Sequence, residues 1–222
     1  MISSSAARQH LKNVIGLVSL ALKFSAGQDV GSIQAEYVDT IGVAMFNYLN
    51  SDQPITSFRN IFRRAVNDAF TFAFYAGWAD GGGGGELSGE AISYLNGRIE
   101  SEINFANELF DSLRDLRSNP DVSQKDKEAW ADARAESYGG AVLSVYNEAK
   151  MMASKDKVGQ WRLGATEEHC DTCSMLASDP PHPLSWFTSQ GYIPRQPGSQ
   201  TLECHGYHCD CGIFAEDGER LI

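Results

Sequence analysis

The chain is short of positive charge. Its 222 residues include 18 lysines and arginines against 29 aspartates and glutamates, which gives a formal net charge of −11 at pH 7. Proteins that bind nucleic acid independently of its sequence neutralise phosphates with clustered lysine and arginine. The composition therefore disfavours direct binding to DNA or RNA, and we expect the partners of this chain to be other proteins.

Long hydrophobic runs are also absent from the sequence. A helix that spans a bilayer needs about 20 consecutive apolar residues, but the apolar run after Arg8 and Lys12 is shorter and ends at Lys23. This run does not form a convincing export signal either. The sequence thus predicts no membrane association, and we expect the chain to stay in the cytosol.

The residue patterns of two zinc-enzyme classes are missing. A zinc deaminase requires a His-x-Glu element before its C-x-x-C pair, and no such element precedes Cys170 and Cys173. A zinc peptidase requires H-E-x-x-H on a helix, but Glu168-His169 is not followed by a second histidine at that spacing. We therefore expect no catalytic residues in this chain.

The glycine run from Gly81 to Gly85 does not fit a phosphate-binding loop. Such a loop continues with lysine and then serine or threonine, whereas Glu86 and Leu87 follow the last glycine here. We interpret residues 80–86 as a flexible, Gly-rich connector within an N-terminal helical domain.

What the sequence does contain is helical periodicity over its first two thirds. Apolar residues recur at steps of three and four in five segments, which is typical of amphipathic helices. The predicted helices cover residues 6–24, 32–49, 55–78, 90–117 and 124–154. Because Ser118-Asn119-Pro120 ends the fourth helix and Ser123 can cap the fifth, these two are predicted to form an antiparallel helical hairpin.

Two of the predicted helices carry further features. The segment 55–78 contains seven aromatic residues, which predicts burial on more than one side, in the core or partly at a subunit interface. In the segment 124–154, Gly139-Gly140 costs about 1 kcal/mol per glycine relative to alanine, which indicates a close helix contact or a kink. The fold is predicted to be mainly α, with an elongated helical domain of about five helices, residues 1–157, before a small module with short β elements, residues 158–222.

All five cysteines lie in the C-terminal module, as Cys170-x2-Cys173 followed by Cys204-x4-Cys209-x-Cys211. Two thiolates separated by two residues can hold one side of a tetrahedral Zn²⁺, and a returning cysteine cluster can complete the site. The spacing predicts a zinc site on Cys170, Cys173, Cys204 and one more cysteine. Cys209 is favoured and Cys211 is the alternative. Both are candidates, because they face the same way if that segment is extended. Four thiolates leave no open position for water, so the predicted zinc is structural.

The cysteines and the histidines near them have alternative roles. His205 and His208 can replace one thiolate ligand or form a histidine-metal nuclease site, while His169 is expected outside the ligand set. The cysteines can instead form disulfides if the protein is exported, or stay as free buried thiols. A thioredoxin-like redox pair requires a βαβ unit, which the sequence around Cys170 and Cys173 does not predict.

The C-terminal sequence resembles a known family. Between about residues 130 and 215 the chain is similar to the cysteine module, and the helix before it, of tailed-bacteriophage minor head or head-morphogenesis proteins. The resemblance is carried by Arg134-x-Glu136, Tyr146-Asn147, Trp161-x-Leu163-Gly164-x-Thr166-Glu167-x-His169-Cys170-x-x-Cys173, Trp186, Gly191-Tyr192-Ile193-Pro194 and Leu202-Glu203-Cys204-x-Gly206-Tyr207-x-Cys209-Asp210-Cys211.

This resemblance implies a structural protein of a tailed-phage virion. Such a protein is assembled in the cytoplasm of the host bacterium and binds other virion proteins, namely the major capsid protein or the portal or connector, and in some cases further copies of itself. The resemblance implies no enzymatic activity. The alternative function is that of a zinc-dependent enzyme, a nuclease or a maturation peptidase, acting in phage assembly.

Overall fold

The computed structural model describes residues 29–166, 168–196, 199–206 and 210–222, and in these ranges the chain is mainly helical. The predicted helix over residues 6–24 lies outside the described residues. No helix in the described part is both long and apolar enough to cross a membrane.

The first two described helices form a helical hairpin. Helix α1 spans Val30–Asn50 and helix α2 spans Ile55–Asp80. Asp29 caps α1, since its carboxylate accepts a hydrogen bond of 3.0 Å from the backbone N–H of Ser32. Both helices match the predicted segments, and the predicted face of α1 is buried at Ile33, Tyr37, Ile41, Ala44, Met45 and Tyr48.

The region predicted as one helix over residues 90–117 contains two helices. Helix α3 spans Gly89–Phe105 and helix α4 spans Asn107–Ser118, so the single-helix prediction is wrong. The side-chain amide of Asn107 donates a hydrogen bond of 2.9 Å to the backbone carbonyl of Asn104. Such local bonds compete with the helical pattern, and this one lies beside the interruption at Ala106.

Helix α5, Gln124–Ala153, is the longest and packs mainly against α1 and α2, with smaller contacts to α3. The predicted cap is confirmed, because the side chain of Ser123 accepts a hydrogen bond from the backbone N–H of Asp126. The close contact predicted at Gly139 is also confirmed. A Cβ atom there would lie 2.6 Å from Cγ2 of Val38, so only glycine allows α1 and α5 to approach this closely.

The aromatic residues of α2 form the centre of the helical core. Phe58, Phe62, Phe70 and Phe74 are all buried. The ring of Phe62 meets the ring of Phe110 edge-on at 5.6 Å between centroids, and that of Tyr138 in the same way at 5.5 Å. These contacts tie α2 to α4 and α5, so the predicted aromatic burial is confirmed as core packing for these four residues.

The C-terminal module consists of a small sheet and two short helices. Its strands are β1, Val158–Arg162, β2, His182–Pro183, and β3, Gly212–Phe214, and its helices are α6, Asp171–Ser178, and α7, Leu184–Gln190. Strand β1 lies between β2 and β3 and pairs with both in antiparallel fashion. The predicted short β elements are therefore present.

The described residues form two clusters of buried apolar side chains. One joins the helices α1 to α5, and the other lies inside the module around Trp161, Leu184, Phe187 and Ile213. Met151, in the last turn of α5, belongs to the second cluster. The end of α5 is therefore part of the packing of the module.

A polar contact of side chains also joins the helical region to the module. The buried carboxylate of Glu148 on α5 lies 3.0 Å from Nε of Arg98 on α3 and accepts a hydrogen bond of 3.1 Å from the hydroxyl of Ser144. It also accepts a hydrogen bond of 2.8 Å from the side-chain amide of Gln196 in the module. One carboxylate thus joins three parts of the chain.

Candidate metal centre

The first two cysteines of the candidate site lie at the start of α6. Cys170 is the residue that caps this helix, and its sulfur accepts a hydrogen bond of 3.4 Å from the backbone N–H of Cys173. Cys173 lies one turn along the helix and is 1% exposed. Residues three apart share one face of a helix, so the C-x-x-C spacing places both sulfurs on the same side.

The third cysteine, Cys204, is held near this pair by the contacts of its neighbours Leu202 and Glu203. One carboxylate oxygen of Glu203 accepts a hydrogen bond of 2.9 Å from the backbone N–H of Asp171, in the first turn of α6. Leu202, on the other side of Glu203, is fully buried. These two anchors hold Cys204 against α6, and the sulfurs of Cys170, Cys173 and Cys204 all lie within 4.8 Å of one another.

The turn after Cys204 depends on a left-handed backbone. His205 has φ 50° and Gly206 has φ 70°, a conformation that glycine adopts without strain. A Cβ atom on Gly206 would collide with the backbone of Gln196. Gly206 therefore lets the segment with Cys204 pack directly against the loop that carries Gln196.

The environment of Cys170 favours its thiolate form. Burial raises the pKa of this thiol, but hydrogen bonds from the backbone and side-chain groups of Cys173 and Cys204 lower it by more, so the pKa lies below its ordinary value. The thiolate is the form of cysteine that binds metals. The three sulfurs are therefore close enough to hold one metal ion, and the lowered pKa of Cys170 favours the form that binds it.

The fourth ligand stays a prediction. Cys209 and His208 lie outside the described residues. Cys211 is 1% exposed, directly before β3, and its sulfur lies 3.9 Å from Nδ1 of His169. Cys211 is thus inside the module and His169, expected outside the ligand set, is its neighbour.

Two of the alternatives, a histidine ligand and disulfide bonds, concern His205 and the described cysteines. Nδ1 of His205 lies 2.9 Å from the backbone carbonyl of Ser199, so this nitrogen faces its own loop. The four described cysteines, Cys170, Cys173, Cys204 and Cys211, are not in disulfides.

Several residues that support the site carry no signal in the sequence. The guanidinium of Arg195 pairs with the carboxylate of Asp210, between the last two cysteines. Gly164 packs against the backbone of Asp210, where a Cβ atom would collide. Both contacts join segments far apart in the sequence, and spacing rules for metal ligands do not include them. Of these features, the sequence could have indicated only the positive φ of Gly206, because glycine is the residue that most readily adopts a left-handed backbone.

Comparison with known proteins identified no relative, since no protein-family model, no curated protein and no solved structure matches the chain.

Proposed function

We propose that Cys170, Cys173 and Cys204, together with Cys209 or Cys211, hold one structural Zn²⁺. The observation that carries this proposal is the convergence of three sulfurs from two segments that are 30 residues apart in the sequence. Soft thiolate ligands select zinc, copper(I) or iron–sulfur clusters over magnesium and calcium. Zinc with four thiolates is the usual structural site of small modules and supplies a fixed cross-link with no redox chemistry.

The first prediction concerns metal content. Protein purified without chelator should contain one zinc per chain by mass spectrometry of the metals, because the predicted site binds one ion. The Cys204→Ser variant lacks one of the three clustered sulfurs. Its affinity for zinc, measured in competition with a chelator, should be at least about tenfold lower, since the loss of even a supporting residue has an effect of that size.

Ser174→Ala is the matched control, since Ser174 is exposed on α6 next to Cys173. This variant should keep its zinc. Wild-type protein without zinc, or with iron or copper in its place, would contradict the assignment of the metal.

We propose further that the chain is a structural component of a tailed-phage head, bound to the capsid or to the portal region. Two properties support a role in assembly over one in catalysis. Of the three clustered cysteines, Cys173 is almost completely buried and Cys170 and Cys204 are partly buried, and a zinc ion with four thiolate ligands has no open position for a substrate. The excess of acidic residues disfavours a nucleic-acid substrate.

The second prediction concerns the virion. If this function is correct, particles purified from a host that carries the gene should contain the chain in a fixed ratio to the major capsid protein, measured by quantitative mass spectrometry. Deletion of the gene should reduce the yield of complete heads, because an assembly component is then missing.

Complementation with the Cys204→Ser variant separates the two proposals. Heads restored by a chain without zinc would leave the virion role intact and remove the need for the metal. Particles without the chain, combined with zinc-dependent hydrolysis of DNA or peptide by the purified protein, would favour the enzyme instead.

A further inference from the structure

A groove between α1 and α5 exposes apolar side chains on the helical region. Val43 is 51% exposed and Phe46 is 44% exposed, although both lie on a helix whose other apolar face forms the core. Together with Val38 they line a depression of about 450 Å³. Large exposed side chains grouped in a groove indicate an interaction surface more often than isolated ones do.

The polar residues of the same groove all carry negative charge. Asp39 on α1 and Asp132 and Glu136 on α5 line it, and the set of lining residues includes no lysine or arginine. An occupant that fits this surface has an apolar stripe for Val43 and Phe46 and positive charges at its edges.

The N-terminal segment of the same chain has this composition. Residues 1–28 contain Arg8, Lys12 and Lys23 and none of the 29 aspartates and glutamates of the chain. The predicted helix over residues 6–24 has one apolar stripe, at Leu11, Val14, Ile15, Val18 and Leu22. No other stretch of 28 residues in this acidic chain is free of acidic residues.

The length of the segment also matches the groove. At about 1.5 Å per residue, a helix over residues 6–24 is ~28 Å long, close to the ~31 Å of α1. Residues 25–29 leave a connection of the length found in helical hairpins, about 2–5 residues. In an antiparallel hairpin that turns there, Lys12 lies level with Gly42, and Arg8 lies level with Phe46.

The register of α5 completes this arrangement. Gly42 of α1 faces Ala135 of α5, since a Cβ atom on Gly42 would lie 3.6 Å from that of Ala135. Gly139 of α5 likewise meets Val38 of α1, so the two helices run antiparallel. Glu136 is therefore near the level of Gly42 and Asp132 near that of Phe46, where the hairpin brings Lys12 and Arg8, respectively. We propose that residues 6–24 bind as a helix in the groove between α1 and α5 of their own chain, through the apolar stripe and these opposite charges.

Photo-crosslinking in the full chain tests the occupant of the groove. Benzoylphenylalanine in place of Phe46, and in a second variant in place of Val43, should form cross-links to residues 6–24 of the same chain, mapped by mass spectrometry. The matched control has the probe in place of Phe105, which is 64% exposed at the end of α3 and outside the groove. This control should give no cross-link to residues 6–24.

Products of twice the chain mass would assign the groove to a second copy and overturn the proposal. Cross-links from both groove positions that avoid residues 6–24 would overturn it as well. Far-UV circular dichroism of each variant, compared with the wild type, verifies that the probe has not unfolded the helices.

Charge reversal tests the electrostatic part of the contact. Asp132→Lys with Glu136→Lys should lower the yield of the Phe46 cross-link at least about fivefold, and added salt should lower the yield in the unmodified background. The control reverses Glu108 and Asp115, two exposed acidic residues of α4, and should leave the yield unchanged. Equal yields from the two double variants would overturn the role of charge.

Discussion

Glu148 joins the helical core to the cysteine module through hydrogen bonds. A buried carboxylate needs donors around it, and it has them from Arg98, Ser144 and Gln196. Burial nevertheless raises the pKa of Glu148, with Arg98 and the hydrogen bonds from Ser144 and Tyr94 acting in the opposite direction. The carboxyl group of Glu148 thus has hydrogen-bond donors around it, but its burial still disfavours the charged form.

The third prediction follows from the direction of this pKa change. A carboxyl group whose pKa is higher in the folded state contributes stability that is complete below its unfolded pKa, near 4.5. That contribution is lost as the pH rises through the folded pKa. Glu148→Gln cannot ionise, so its free energy of unfolding should decrease less between about pH 5 and about pH 8 than that of the wild type.

Urea unfolding at several pH values measures this difference. Glu108→Gln is the control, because Glu108 is exposed on α4, and it should follow the wild-type profile. An identical pH dependence in wild type and Glu148→Gln would show that the pKa of Glu148 is the same in the folded and the unfolded state.

Glycine decides how closely helices α2 and α5 approach each other. Gly77 on α2 lies against α5, and a Cβ atom there would collide with the backbone carbonyl of Tyr146. Gly97 on α3 also lies inside a helix, but a Cβ atom there would meet nothing within 4 Å. The two glycines have the same helical setting and opposite surroundings.

The fourth prediction uses these two glycines as a matched pair. Gly77→Ala should lower the free energy of unfolding by about 1–3 kcal/mol, because α2 and α5 must move apart. Gly97→Ala should raise it by about 0.5–1 kcal/mol, since alanine favours the helix and fills open space. Thermal or urea unfolding checks both signs, and destabilisation by both variants would contradict the packing described here.

The helices with a long apolar period are the elements that the sequence predicts well. The ends of α1, α2 and α5 lie within about two residues of the predicted ones, the usual uncertainty of helix boundaries, because many residues contribute to each pattern. The interruption between α3 and α4 is confined to Ala106, and β2 and β3 have only two and three residues. Neither feature is long enough to produce a periodic pattern of apolar residues in the sequence.

The cysteine cluster is predictable for a different reason. The C-x-x-C spacing alone places Cys170 and Cys173 on one side of α6, because a helix turn fixes their relation. The approach of Cys204 requires the contact of Glu203 with Asp171, and the loop around it requires the pair of Arg195 and Asp210. Such contacts between distant segments are set by tertiary structure, so a sequence does not reveal them.

The two apolar clusters of the molecule are expected to respond differently to loss of the metal. The helices α1 to α5 carry their own core, whereas the module has a small one. Structural zinc contributes about 10–16 kcal/mol of apparent binding energy in small domains. That exceeds the net stability that such a small core supplies on its own.

The fifth prediction is therefore partial unfolding on chelation. Removal of zinc should abolish protection from hydrogen exchange in residues 158–222 and in the last turns of α5, where Met151 and Glu148 contact the module. Most of the far-UV helical signal should persist. Chelator saturated with zinc beforehand is the control, and loss of most helical signal would show that the chain unfolds as one unit.

A metal held by Cys173, near the start of α6, and by Cys204 would close a ring of chain that contains the rest of α6, β2 and α7. A metal that joins Cys173 to Cys204 restricts the unfolded ensemble, and the entropy of closing such a ring grows only with the logarithm of its length, about 0.6 kcal/mol for each doubling. Extra residues in the turns between these elements therefore cost little. Homologous modules are expected to keep the C-x-x-C spacing and the Glu-Cys pair at positions 203 and 204, and to differ freely in the length of chain between them.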